Sequence, residues 1–180
     1  MPTITEDQVC IKAVEIITAG RTIESAGLGD EMRGRVVELL VKTAGSADTA
    51  AFREAKEAKE RSISLEQWRD LLHIAKTRKE NKEWIDRIFT FPTSVNIETK
   101  GDLCLAGSWF TKLPERLSIN GGLDIRYCSM LTNLPEDLSV DGDLWLSRDL
   151  NEQVKKDARA LKTKGNITGK IKYIEKFASF

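Results

Sequence analysis

The sequence predicts an α+β chain: an N-terminal α-helical domain over residues 1–90, then a short repeat solenoid built on a parallel β-sheet over residues 91–180. Three observations carry that prediction. Leu113-Pro-Glu-Arg-Leu-Ser-Ile-Asn-Gly-Gly-Leu-Asp-Ile125 returns 21 residues later as Leu134-Pro-Glu-Asp-Leu-Ser-Val-Asp-Gly-Asp-Leu-Trp-Leu146, with seven matched positions and no gap. A period of about 20 to 29 residues belongs to strand-and-turn arrays. Ahead of the repeat, apolar residues recur at helical spacing behind two capping boxes. Between the two regimes stands Phe91-Pro92, where proline disfavours helix in the residue before it and cannot continue one itself.

The helices follow in order. Thr5-Glu-Asp-Gln8 has the form of a capping box, and Val9, Ala13, Ile16 and Ile17 form a stripe behind it, so a first helix runs from about 6 to 19 and stops at Gly20. Asp30 caps a second helix whose wide apolar stripe of Met32, Val36, Val37, Leu39, Leu40 and Val41 reads as core, closed by Gly45. From Ser46, alanines and Phe52 alternate with Arg53/Glu57, Lys56/Glu60 and Glu57/Arg61 pairs. That is a largely solvated helix, each pair worth only about 0.2 to 0.5 kcal/mol. Ser64-Leu-Glu-Gln67 opens a helix with Leu65, Trp68, Leu71, Leu72 and Ala75 inward. The segment 76–83 has no apolar residue, so either one long helix crosses solvent or it breaks near Asn81, which can cap a last helix carrying Trp84, Ile85, Ile88 and Phe89. The lysines and arginine at 76, 78, 79 and 82 are diluted by Glu80, Glu83 and Asp86 and read as a solvated face.

In the second half, Ile97 to Leu105 is an earlier copy of the repeat and Leu161 to Ile167 a degenerate last one. Aligned on Gly101, Gly121, Gly142 and Gly165, this puts Leu103, Leu123, Leu144 and Ile167 on four short strands. Leu-x-Leu alternates with period 2, two side chains in and the middle one out. The glycines suit a turn with positive φ, and Leu-Pro-Glu-x-Leu marks the return limb. Asn151 to Lys164 reads as a helix with Val154, Ala158 and Leu161 inward. Ile171, Tyr173, Ile174 and Phe177 then shield the final unit.

Composition narrows the function. The chain has 28 basic and 28 acidic residues, 15 against 16 up to residue 90 and 13 against 12 after it. Neither half has the basic excess that a phosphate backbone requires, which argues against nucleic acid as a partner. No apolar run reaches the roughly 18 residues of a membrane span, so no membrane partner is expected. The N-terminus has no basic segment followed by an apolar one, and Cys10, Cys104 and Cys128 lack Cys-x-x-Cys spacing. A cytoplasmic location with free thiols follows as the expectation, secretion without a cleaved signal staying open. His73 is the sole histidine, between Leu72 and Ile74 on a helix. With one histidine and no paired cysteines there are no ligands for a metal, no cofactor motif and no catalytic residues to name, so no enzyme is expected.

What remains is a surface. The strand middles projecting from the sheet are Cys104, Asp124, Trp145 and Thr168, with Ala106, Arg126, Ser147 and Lys170 beside them. A Trp, an Arg and an Asp on one face are residue types that anchor interfaces. Cys104, Asp124, Arg126, Trp145 and Ser147 are therefore the expected protein-binding residues, unless Trp145 lies under a cap of the same chain.

These repeats resemble the leucine-rich repeat family, and within it the short bacterial class with Leu-Pro-Glu-x-Leu units. The resemblance spans residues 91–170. It places Asp124 at the family's exposed strand position and Cys128 at its Asn/Cys position, matched by Ser108 and Asp149. It implies a curved parallel sheet whose concave face binds a protein, and helical caps over the ends, a role that suits the last helix before Phe91. Some members carry a ubiquitin-ligase domain with a Cys-x-Asp nucleophile, and none of the three cysteines here has that spacing. The expected function is non-catalytic protein binding by the sheet face. The alternative is an effector or toxin-related factor with its activity in the helical half, and a third reading is a homodimer that pairs the same face with itself.

Overall fold

The computed structural model describes residues 4–18, 26–45, 50–92 and 96–174. The expected stop at Gly20 and the shielding Phe177 fall outside them, as do Ser46 and the side chains of Ile17, Val41, Ala51 and Phe52. Two compact units divide the chain, Met1–Leu65 and Glu66–Phe180. This division falls between Leu65 and Glu66, so the last two helices before the repeats lie in the second unit.

The first unit is helical: α1 Glu6–Thr18, α2 Asp30–Gly45 and α3 Ala50–Glu60. The capping box of α1 forms as the sequence asks, with the Gln8 N–H donating to Thr5 Oγ1 (3.3 Å) and the Thr5 N–H to Gln8 Oε1 (2.9 Å). Helix α1 buries Val9, Cys10, Ala13, Val14 and Ile16 against Val36 and Leu39 of α2, Ala55 of α3 and Leu65. The stripe of α2 is narrower than its sequence suggests, since Val37 is 40% exposed. In α3, Ala55 and Ala58 are buried while Arg53, Lys56 and Lys59 stay in solvent.

The second unit is mixed α/β, with helices and two small sheets that contain parallel pairs and no closed barrel. Helix α4 (Leu65–Thr77) buries Trp68, Leu71 and Ile74. The chain does break after it: Asn81 caps α5 (Lys82–Ile88), its side chain accepting from the Trp84 N–H. Strand β1 (Phe89–Thr90) follows at once and pairs antiparallel with β2 (Ile97–Thr99), closing one edge of the first sheet.

The first three repeats each supply two short strands, one to each sheet. The first sheet runs β1, β2, β4 (Leu117–Ile119), β6 (Ser139–Val140); the second runs β3 (Leu103–Cys104), β5 (Leu123–Asp124), β7 (Leu144–Ser147), β8 (Ile171–Ile174). Leu103, Leu123 and Leu144 stand in one register, as do Ile119 and Val140. The first-sheet strands were missed because Leu117-Ser-Ile119 lies in the stretch read as a return limb, although it too alternates buried, half-buried, buried.

The last repeat is shifted from the sequence alignment. Leu144 pairs with Ile171, and Ile167 bridges Val140 in the first sheet. The reason is α6 (Glu152–Lys164), which lengthens this unit; Gly165, taken for a repeat glycine, is its left-handed C-cap at φ 86°. The glycine in the repeat position is Gly169, where an added Cβ would stand 2.6 Å from the Asp143 nitrogen. Consequently Ile171–Ile174 is a strand rather than a lid over the final unit.

The glycines also work differently from expectation. Gly121 and Gly142 are not among the residues with positive φ. They are needed for closeness: a Cβ on Gly121 would lie 2.7 Å from the Asp102 nitrogen, and one on Gly142 2.7 Å from Gly121 C and Gly122 N. Here the backbones of successive units touch, which only glycine permits.

Candidate protein-interaction surface

The outward positions of the second sheet line up as Cys104, Asp124, Trp145 and Lys172. Lys172 takes the place expected for Thr168, a result of the shifted last repeat. Along this row, charges are spent on one another. Both oxygens of Asp124 accept from Arg126, Oδ1 from the backbone N–H (3.1 Å) and Nε (2.9 Å), Oδ2 from Nη2 (2.7 Å). The pair is strong for a surface pair because it is bidentate and only partly solvated. It also fixes both side chains: Asp124 and Arg126 are one flat patch instead of two free contacts. Cys104 is exposed, its Sγ 3.9 Å from Asp124 Oδ2.

Trp145 is half-buried and held from two directions. Its ring lies against Gly122, where a Cβ would come within 2.9 Å of Cη2, and the Lys172 ammonium stands over the ring at 5.1 Å from the centroid. Lys172 also pairs with Asp143 Oδ2 at 2.6 Å, and that hydrogen bond lowers the Asp143 pKa below its ordinary value. Gly122 thus departs from Asp102 and Asp143, its counterparts in the neighbouring units, to make room for an aromatic ring. Asp102 and Asp143 use their carboxylates to accept from the next unit's backbone, Gly122 N–H (2.6 Å) and Lys170 N–H (2.7 Å).

Ser147 does not reach this surface. It is fully buried, and its Oγ accepts from the Tyr127 N–H at 2.8 Å. The first two units turn at Gly107 (φ 72°) and Tyr127 (φ 60°), whereas the third continues as strand until Ser147 pairs with Ile174. There its hydroxyl satisfies a backbone donor that would otherwise be orphaned.

The residues that do stand out were not anticipated. Trp109 is 73% exposed and Met130 54%. The Thr132 N–H donates to the Thr111 carbonyl (3.1 Å), a 21-residue register that puts Met130 and Trp109 at equivalent positions on successive units. Each directly precedes a buried residue, Phe110 or Leu131. The signal lay in the doublets Trp109-Phe110 and Met130-Leu131: only one residue of each pair can turn into the core.

The thiols divide by burial. Cys128 donates to the Leu105 carbonyl (Sγ to O 3.1 Å), and burial pushes its thiol up to about 12. Cys10 is buried as well. A thiol-reactive dye should therefore label one cysteine quickly, Cys104, and the other two only on unfolding. Three fast thiols would mean the interior is open.

On α4, Lys112 Nζ bridges Glu66 Oε1 (2.5 Å) and Asp70 Oδ1 (3.4 Å), and Gln67 Nε2 donates to the Glu115 carbonyl (2.8 Å). Burial raises the Asp70 pKa against the opposing pull of Lys112. These contacts fasten α4 to the return limb of the repeats. His73 lies exposed on the same helix. Among the described residues no group of three His, Cys, Asp or Glu side chains is placed to hold a metal ion, and no helix is long and apolar enough to cross a membrane. No protein-family model, curated protein or solved structure matches the chain.

Proposed function

We propose that this chain is a non-catalytic protein-binding module of leucine-rich repeat type, a short solenoid whose exposed apolar anchors are Trp109 and Met130. The observation that carries the reading is the pair itself: two large apolar side chains, in equivalent positions on stacked units, left in water. A monomer has no folding reason to leave them there, and exposed tryptophan and methionine are typical interface anchors. The Asp124/Arg126 patch supplies a polar rim with its charges already paired, which lowers the cost of desolvating them on contact. Cys104 adds a small edge. Trp145, held by Gly122 and Lys172, contributes ring area without having to be ordered on binding.

Site-specific photo-crosslinking tests this. A photoreactive phenylalanine analogue at position 109 or 130 should capture one discrete partner, and the same group at Lys164, exposed on α6, should not. Equal capture from all three positions would sink the reading. Trp109→Ala is then expected to weaken that partner's binding by about 1 to 2 kcal/mol while leaving the melting temperature within a few degrees of wild type.

A further inference from the structure

The second repeat unit carries a reactive dipeptide at its joint with the third. Of the six asparagines, at 81, 96, 120, 133, 151 and 166, only Asn120 is followed by glycine. It leaves β4 in a bend, exposed to solvent, with its backbone N–H donating to Thr99 Oγ1 (3.1 Å). Its side-chain amide bonds to no described residue, and no described residue accepts from the Gly121 N–H. The neighbouring amides are occupied. Asp102 Oδ1 accepts from the Gly122 N–H (2.6 Å), and in the third unit, where Asp141-Gly142 stands in place of Asn120-Gly121, the Gly142 N–H donates to the Gly121 carbonyl (2.8 Å).

The other asparagines are each restrained. Asn81, Asn133 and Asn151 accept on Oδ1 from Trp84, Thr132 and Gln153, and Asn166 Nδ2 donates to the Leu138 carbonyl. After Asn96, the Ile97 N–H donates to the Arg116 carbonyl (3.1 Å), and Ile97 itself is fully buried. Asn120 alone combines an unanchored amide with an unbonded nitrogen on the next residue and no Cβ there to obstruct approach.

We propose that Asn120 is a self-modifying site, which converts to aspartate and isoaspartate and in the second form loosens the joint between the second and third units. The Gly121 nitrogen gives its proton to solvent and attacks Asn120 Cγ, ammonia leaves, and a succinimide ring closes; one water then opens the ring. Breaking the bond from Cγ to nitrogen gives aspartate. Breaking the bond from the backbone carbonyl carbon to nitrogen gives isoaspartate, with the chain routed through Cγ. Aspartate is what the third unit already carries at 141, so the fold accepts it. Isoaspartate lengthens the backbone by a methylene just before Gly121, whose carbonyl accepts from Gly142 and whose carbonyl carbon would lie 2.7 Å from a Cβ on Gly142. A joint too close for an added methyl has no slack for that displacement. The site is separate from Trp109 and Met130 and does not rest on the protein-binding reading.

The full chain, held in mildly alkaline buffer and digested with trypsin at intervals, is the test. The peptide Leu117–Arg126 should gain the mass of an amide-to-acid conversion severalfold faster than any peptide carrying another asparagine, and should separate into aspartate and isoaspartate forms. The peptide with Asp141 should stay free of isoaspartate, because its glycine nitrogen is bonded. As isoaspartate accumulates, the melting temperature should fall by several degrees, while Asn120→Gln aged alongside should hold its own. Freshly prepared Asn120→Asp should melt within a few degrees of wild type, which assigns the loss to the lengthened backbone and not to the charge. An Asn120 that converts no faster than the other asparagines, or only once the chain is unfolded in urea, would overturn the proposal, and so would an aged chain rich in isoaspartate that melts like the fresh one.

Discussion

Gly142→Ala should destabilise the second unit by about 3 kcal/mol, while Gly101→Ala should change its melting temperature little. Both glycines occupy the same place in the repeat, yet what surrounds them differs. The added methyl at 142 meets backbone on the preceding unit, Gly121 C and Gly122 N at 2.7 Å and Gly121 O at 2.9 Å. Backbone cannot rotate away as a side chain can, so the two units must part, and the bond from the Gly142 N–H to the Gly121 carbonyl (2.8 Å) goes with them. At Gly101 an added Cβ meets nothing within 4 Å. Urea melts of the two variants decide the matter: equal losses would mean that the glycines serve the turn and not the stacking. Asparagine at 142, which a left-handed turn would tolerate, is expected to do no better than alanine.

Leu123→Ala and Leu144→Ala should each cost about 2 to 5 kcal/mol. Both side chains are fully buried and stand opposite each other in the second sheet. Removing either leaves a cavity whose walls are held in place by strands on two sides, which restricts collapse into the space. A loss under about 1 kcal/mol for both would show that these leucines are not core.

How much of this was legible in the residues depended on whether a signal was local. The capping box at Thr5 and the helix at 152–164 are set by neighbours within one turn and form where the sequence places them, and of the two readings left open for 76–83 the break at Asn81 is the one that forms. The leucine register from 103 to 144 was legible too, because repetition turns a long-range contact into a pattern along the chain. The last unit was not. Gly165 satisfies a helix C-cap and a repeat glycine equally well by type, and only the packing of Gly169 against Gly142 distinguishes them. Positive φ at Gly121 was inferred from residue type, when crowding by a different unit was the cause. In the surface, alternation placed Cys104, Asp124 and Trp145 outward, and Arg126 lies beside them as Asp124's partner. Ser147 departs from the alternation: it is buried, its Oγ held by the Tyr127 N–H, on a strand two residues longer than its counterparts. Trp109 lies between the strands, in a stretch to which the alternation argument does not apply.

The contact between Trp145 and Gly122 limits how such a chain lengthens by duplication. A copy of the tryptophan-bearing unit inserted after itself would set its new ring over Asp143, which carries the side chain that Gly122 lacks, and the ring would have no floor to lie on. A copy of the preceding unit, with Asp124 in the outward position, meets no such obstacle. The tryptophan is therefore tied to its place in the order, and a lengthened variant accepts it elsewhere only with a second change, aspartate to glycine, one unit upstream.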